Sequence, residues 1–207
     1  MERQSTPSML AATDAIVLSL QPYSDKAHIL HAYTRTGGRA NYKVFGLGRK
    51  NAIGIYTPLS VVQLTTDEHS VRTAQLTFVP TTLTTDPYKR TIALFIAEVL
   101  SHVLRHPMPD EPMFDFIAQA IQELDRTDEP QNFHIAFLIN FAAKLGFAIP
   151  EESQITIRRK QIGSNHQSQM TRRDRQAALR ALCDYFAEHV ETWQNPRSLD
   201  VLIEVFN

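Results

Sequence analysis

Between residues 26 and 50 the sequence sets six cations, Lys26, Arg35, Arg39, Lys43, Arg49 and Lys50, with no acid among them. The rings of Tyr33, Tyr42 and Phe45 are interleaved with these cations. Cations spaced in this way can follow the phosphates of a polyanion, and rings between them offer surfaces on which bases stack. A second window holds Arg158, Arg159, Lys160, Arg172, Arg173 and Arg175 against a single acid, Asp174. Both windows stand out because the 207-residue chain as a whole is nearly neutral, at −1. Residues 1–84 carry eight basic and five acidic side chains (+3), residues 85–155 five and eleven (−6), and residues 156–207 eight and six (+2). Two local positive faces around an acidic middle fit a nucleic-acid partner, although clusters of this size also occur on ordinary solvated faces.

Bond-breaking chemistry needs other constellations, and the sequence offers only fragments of them. Gly46-Leu47-Gly48-Arg49-Lys50 is glycine-rich and basic but lacks the G-K-[ST] ending of a phosphate-cradling loop. His102 and His106 have the four-residue spacing that lets two imidazoles on a helix share a metal, but no third ligand accompanies them. Glu123, Asp125, Asp128 and Glu129 crowd a helix end beside Pro130, which reads as a solvated loop rather than an acid–base pair. Cys183 is the one cysteine and reads as a packed thiol, and Asn140 as a hydrogen bonder inside an apolar helix. No catalytic residue, metal or cofactor is expected.

The elements that must position the first window are short strands. Thr13 to Leu20 alternates weakly and stops at Gln21-Pro22; Lys26 to Thr34 and Arg39 to Phe45 flank a Gly37-Gly38 hairpin. Pro58 to Thr65 and Arg72 to Val79 complete five strands, joined by the polar turn Asp67-Glu68-His69-Ser70. Five such strands with a long third connection predict a small closed barrel of the OB type, whose strand 2–3 face and loops are a known single-strand platform. Along Arg39 to Phe45, Tyr42 and Val44 share one face and Lys43 and Phe45 the other. One aromatic must therefore be core, and alternation does not say which.

After Pro80 the apolar period changes from 2 to 3.6. Asp86-Pro87 opens a helix with Ile92, Phe95, Ile96, Val99, Leu100 and Val103 on one stripe, ended by Pro107. A second helix starts near Asp110 and buries Met113, Ile117, Ala120, Ile121 and Leu124. Phe133 to Leu145 is apolar on nearly every face, as a central bundle helix is, and Gly146 stops it. Residues 151–171 lose the pattern and form a basic excursion. Helix returns at Arg172, with Ala178, Leu182, Tyr185, Phe186 and His189 on one face, and a last helix begins near Asn195-Pro196 or Ser198.

The fold expected is α+β: an OB-like five-stranded barrel over residues 1–82, then an all-α domain over 83–207 carrying the excursion. With 43% apolar residues, no run of 18 of them and a polar Met1 to Ala12, the chain reads as globular and cytoplasmic.

Several segments, in order, resemble the bacterial recombination mediator family RecO. They are Thr13-Asp14-Ala15-Ile16-Val17-Leu18, Tyr23-Ser24-Asp25-Lys26, Tyr33-Thr34 before Gly37-Gly38, and the Gly46 to Lys50 loop. Further along come Asn132-Phe133 leading to Leu145-Gly146-Phe147-Ala148-Ile149-Pro150, then Tyr185 to His189 and Arg197 to Leu202. The resemblance implies a non-enzymatic DNA-repair protein of the nucleoid that binds single- and double-stranded DNA. It implies annealing of strands coated by single-stranded-DNA-binding protein, whose C-terminal tail docks on the helical domain, and loading of RecA with the partner RecR. Many members of the family carry a four-cysteine zinc module, which a chain with one cysteine cannot build; the excursion at 151–171 takes its place. An alternative from another class is a protein–protein adaptor that docks peptides on barrel and bundle.

Overall fold

The computed structural model describes residues 10–47, 52–149 and 170–205. Five antiparallel strands come first: β1 Ala11–Ser24, β2 Ala27–Thr34, β3 Gly38–Phe45, β4 Val61–Thr66 and β5 Val71–Leu76, with the four-residue helix α1 (Ala52–Ile55) between β3 and β4. Helices α2 Pro87–Val103, α3 Glu111–Arg126, α4 Phe133–Lys144, α5 Arg172–His189 and α6 Ser198–Val205 follow. The class is α+β. The chain divides into two compact units, Met1–Pro80 with Leu104–Ala118, and Thr81–Val103 with Gln119–Asn207.

In the first unit the strands order as β3-β2-β1-β4-β5. Alternate residues of the sheet supply the core: Ala15 and Val17, Leu30 and Ala32, Val44, and Val62 and Leu64, with Leu47 and Tyr56 from the connection. The expected closed barrel is corrected to a partly open one. The outer strands β3 and β5 share no ladder and meet at the single bridge between Lys43 and Ser70, where the Lys43 N–H donates to the His69 carbonyl at 2.8 Å. At the other end of β3 the Arg39 N–H donates to the His106 carbonyl at 3.1 Å. The free edge of β3 is thus occupied at two points by chain that is not strand. Gly38 makes the second approach possible. Its φ is +63°, and a Cβ there would sit 2.1 Å from the Met108 carbonyl oxygen. β1 runs on through Pro22 to Ser24, past the end that the sequence pattern predicts. Beyond Val17, whose N–H donates to the Ser60 carbonyl and whose carbonyl accepts the Leu59 N–H, it pairs only with β2, so the missing proline N–H costs no ladder bond.

In the second unit, α2 begins where Asp86 Oδ1 accepts the N–H groups of Tyr88 (2.7 Å) and Lys89 (3.2 Å). Its stripe of Ile92, Phe95, Ile96, Val99 and Leu100 is buried, as are Leu138, Phe141, Leu182 and Phe186. Helix α4 ends as anticipated on Gly146 (φ +92°), with Gly146 N–H to Ala143 O and Phe147 N–H to Ala142 O. Asn140, expected in the core, is exposed; α4 turns it outward together with Ala136 and Ala143, and His134 is the polar side chain that is buried. Asp125, assigned to a solvated loop, is also buried. Its carboxylate accepts the N–H groups of Thr81, Thr82 and Leu83, and its carbonyl accepts from Lys89 Nζ at 2.7 Å. The Glu98 carboxylate accepts from Arg197 N, Ser198 N and Ser198 Oγ, which holds the start of α6.

Candidate nucleic-acid interface

The outward face of β1–β3 has two ends. At one, the β2–β3 register sets Ile29 opposite Lys43 and Ala27 opposite Phe45. Tyr42 and Val44 turn into the core, so strand parity places Lys43 and Phe45 outside. Phe45 is 56% exposed and Tyr23, near the end of β1, 64%. The Lys43 Nζ lies 5.7 Å from the Tyr23 ring centroid, a cation held against a ring by its quadrupole. Next along the face, His31 Nδ1 and Asn41 Oδ1 are 2.6 Å apart, opposite each other in the ladder. Lys26 is exposed in the β1–β2 turn. This end therefore combines accessible rings, a lysine and paired polar groups of the kind that read a base edge.

The other end is closed over. Tyr33, opposite Arg39 in the ladder, is 3% exposed and stacks on Phe114 at 6.5 Å between centroids. Burial, then the charge of Asp110, pushes its hydroxyl up to about 12. Arg35 forms an ion pair with Asp115 at 2.8 Å and approaches Asp14 at 3.6 Å, with its guanidinium 4.4 Å above the Phe114 ring. The hydrogen bond to Asp115 raises its pKa. Arg39 is half-buried, and burial followed by the charge of Arg105 lowers its pKa.

Of the three rings chosen from sequence, only Phe45 is placed where a base could reach it: Tyr33 is covered and Tyr42 packs on the core. Tyr23 is absent from that set. Its signal was period 2 continued past Pro22, which a strand ending at the proline concealed.

In the second unit, Arg172 and Arg173 are exposed on the first turn of α5, after Thr171, whose side chain accepts the Asp174 N–H. Arg175 turns inward. Its Nη1 donates to the Met170 carbonyl at 2.7 Å, and it shares a small pocket with His134, Arg172, Gln176, Leu179, Leu202 and Ile203. Burial, and to a lesser degree Arg175, pushes His134 down to about 3, so the imidazole is neutral at physiological pH. Arg49, Lys50, Arg158, Arg159 and Lys160 lie outside the described residues. Each unit thus presents its own cations, some open and some turned inward.

Helix α2 stops at Val103, before His106, so His102 and His106 do not share a helical face. His102 Nδ1 instead lies 2.8 Å from the Gln194 carbonyl. Among the described residues no group of three His, Cys, Asp or Glu side chains could hold a metal ion. Cys183 is 1% exposed, and burial raises its thiol to about 12. No helix of the described residues is long and apolar enough to cross a membrane.

Residues 84–159 match the family model described as "Recombination protein O C terminal". Most of the chain aligns as well: a protein from Phocaeicola vulgatus called "DNA repair protein RecO" is 31% identical over 96% of this chain and 100% of its own length. The chain belongs to the RecO family. RecO proteins from Flavobacterium johnsoniae (27% identical, 96% of this chain, 100% of theirs) and Porphyromonas gingivalis (33% identical, 69% and 63%) align with it too. The Phocaeicola vulgatus alignment spans 241 positions against 207 residues here, so that RecO carries stretches this chain lacks.

Proposed function

We propose that this chain is a DNA-binding mediator of recombinational repair that performs no bond-breaking step. It grips strand phosphates with Lys26, Lys43 and neighbouring cations, and stacks bases on Tyr23 and Phe45. By lowering the repulsion between two polyanions it anneals complementary strands. The observation that carries the reading is the open end of the β1–β3 face, in a chain aligned to the full length of a RecO. With RecR as partner it loads RecA onto DNA coated with single-stranded-DNA-binding protein, whose tail its helical unit receives. It handles both single and double strands, in the cytoplasm at the nucleoid, and requires no cofactor.

The test is an annealing assay with complementary oligonucleotides, bare and coated with single-stranded-DNA-binding protein. Acceleration of both reactions, weakening as salt rises, is expected. A chain that accelerates neither and binds no naked DNA, yet retains protein partners after nuclease treatment, would be an adaptor instead.

A further inference from the structure

We draw no further inference here: the strongest candidate, the exposed apolar patch of Pro107, Met108 and Pro109 in the loop before α3, whose backbone rests on Gly38 while the Met108 side chain is 69% exposed, carries none because nothing in the structure shows what covers it.

Discussion

The two ends of the β1–β3 outer face are built from the same residue types and have opposite fates. At one, Tyr33 and Arg35 are sealed by Phe114, Asp110 and Asp115. At the other, Tyr23, Lys43 and Phe45 are left to solvent. A tyrosine beside a cation is thus a core contact in one place and a solvent-exposed surface in the other. Composition does not decide between them; the segment 104–118, distant in sequence, does by covering one end. Pinned groups should contribute stability and open ones affinity.

The largest effects test the pinned end. Tyr33→Ala should lower unfolding stability by about 3 kcal/mol, the usual scale for deleting a buried aromatic, as measured by urea denaturation. Gly38→Ala, forced against the Met108 carbonyl at positive φ, should also destabilise strongly. Tyr23→Ala, by contrast, should change stability by less than about 0.5 kcal/mol. Equal losses at Tyr33 and Tyr23 would erase the distinction between the two ends.

The same rule can be sharpened with a pinned carboxylate in the second unit. Burial pushes Asp125 up, but hydrogen bonds from the backbone of Thr81, Leu83 and Thr82 and from the Thr81 hydroxyl outweigh it and bring it to about 2. A folded pKa below the ordinary 3.8 means that the folded state favours the carboxylate. This contribution, about 2 kcal/mol, is complete above about pH 5 and is lost as pH falls toward 2. Asp125→Asn should cost a similar amount near neutrality and flatten that part of the acid dependence, read from denaturation midpoints at stepped pH. An unchanged acid limb would mean that Asp125 is not the group that titrates.

Much of this was legible in the sequence, for identifiable reasons. One-sided burial writes a period of 2 into a strand and of 3.6 into a helix, so the five strands and the stripe of α2 could be read directly. Parity within β3 could not: Tyr42 and Phe45 are both large rings that can fill a core, and only the register with β2 decides which turns inward. Pro22 looked like a strand end because its missing N–H matters only where a neighbour needs it, and β4 has already left. Asn140 looked buried because its helix is so apolar, yet any such helix keeps one outward line. The fate of Arg35 was the least legible, since its partner Asp115 comes from a helix in another part of the sequence.

At the open end, stacking is the next effect in size. Tyr23→Ala and Phe45→Ala should each weaken binding of a single-stranded oligonucleotide by about 1–3 kcal/mol if each ring carries one base. The salt slope should stay unchanged, because no phosphate contact is removed. Binding of a blunt duplex, whose bases are already stacked, should change much less. A parallel loss for duplex and single strand would show that the rings act through the fold rather than through bases.

The finest comparison sets Arg35→Gln against Lys43→Gln. Both remove one positive charge from the first unit, Arg35 in the β2–β3 turn and Lys43 on β3, so a diffuse field would give them the same influence on binding. If contact matters, they separate. Lys43 faces solvent beside Tyr23, and its loss should reduce the slope of log affinity against log salt by about 0.7. Arg35 is already engaged by Asp115 and Asp14, and its removal leaves those two carboxylates unpaired near the covered end. Its slope should stay at the wild-type value, with any fall in affinity traceable to the added negative charge or to a stability loss below about 1 kcal/mol, as expected of partly exposed pairs. Identical slopes in the two variants would mean that DNA senses only the summed charge of the face, and the division between pinned and open cations would then have no bearing on binding.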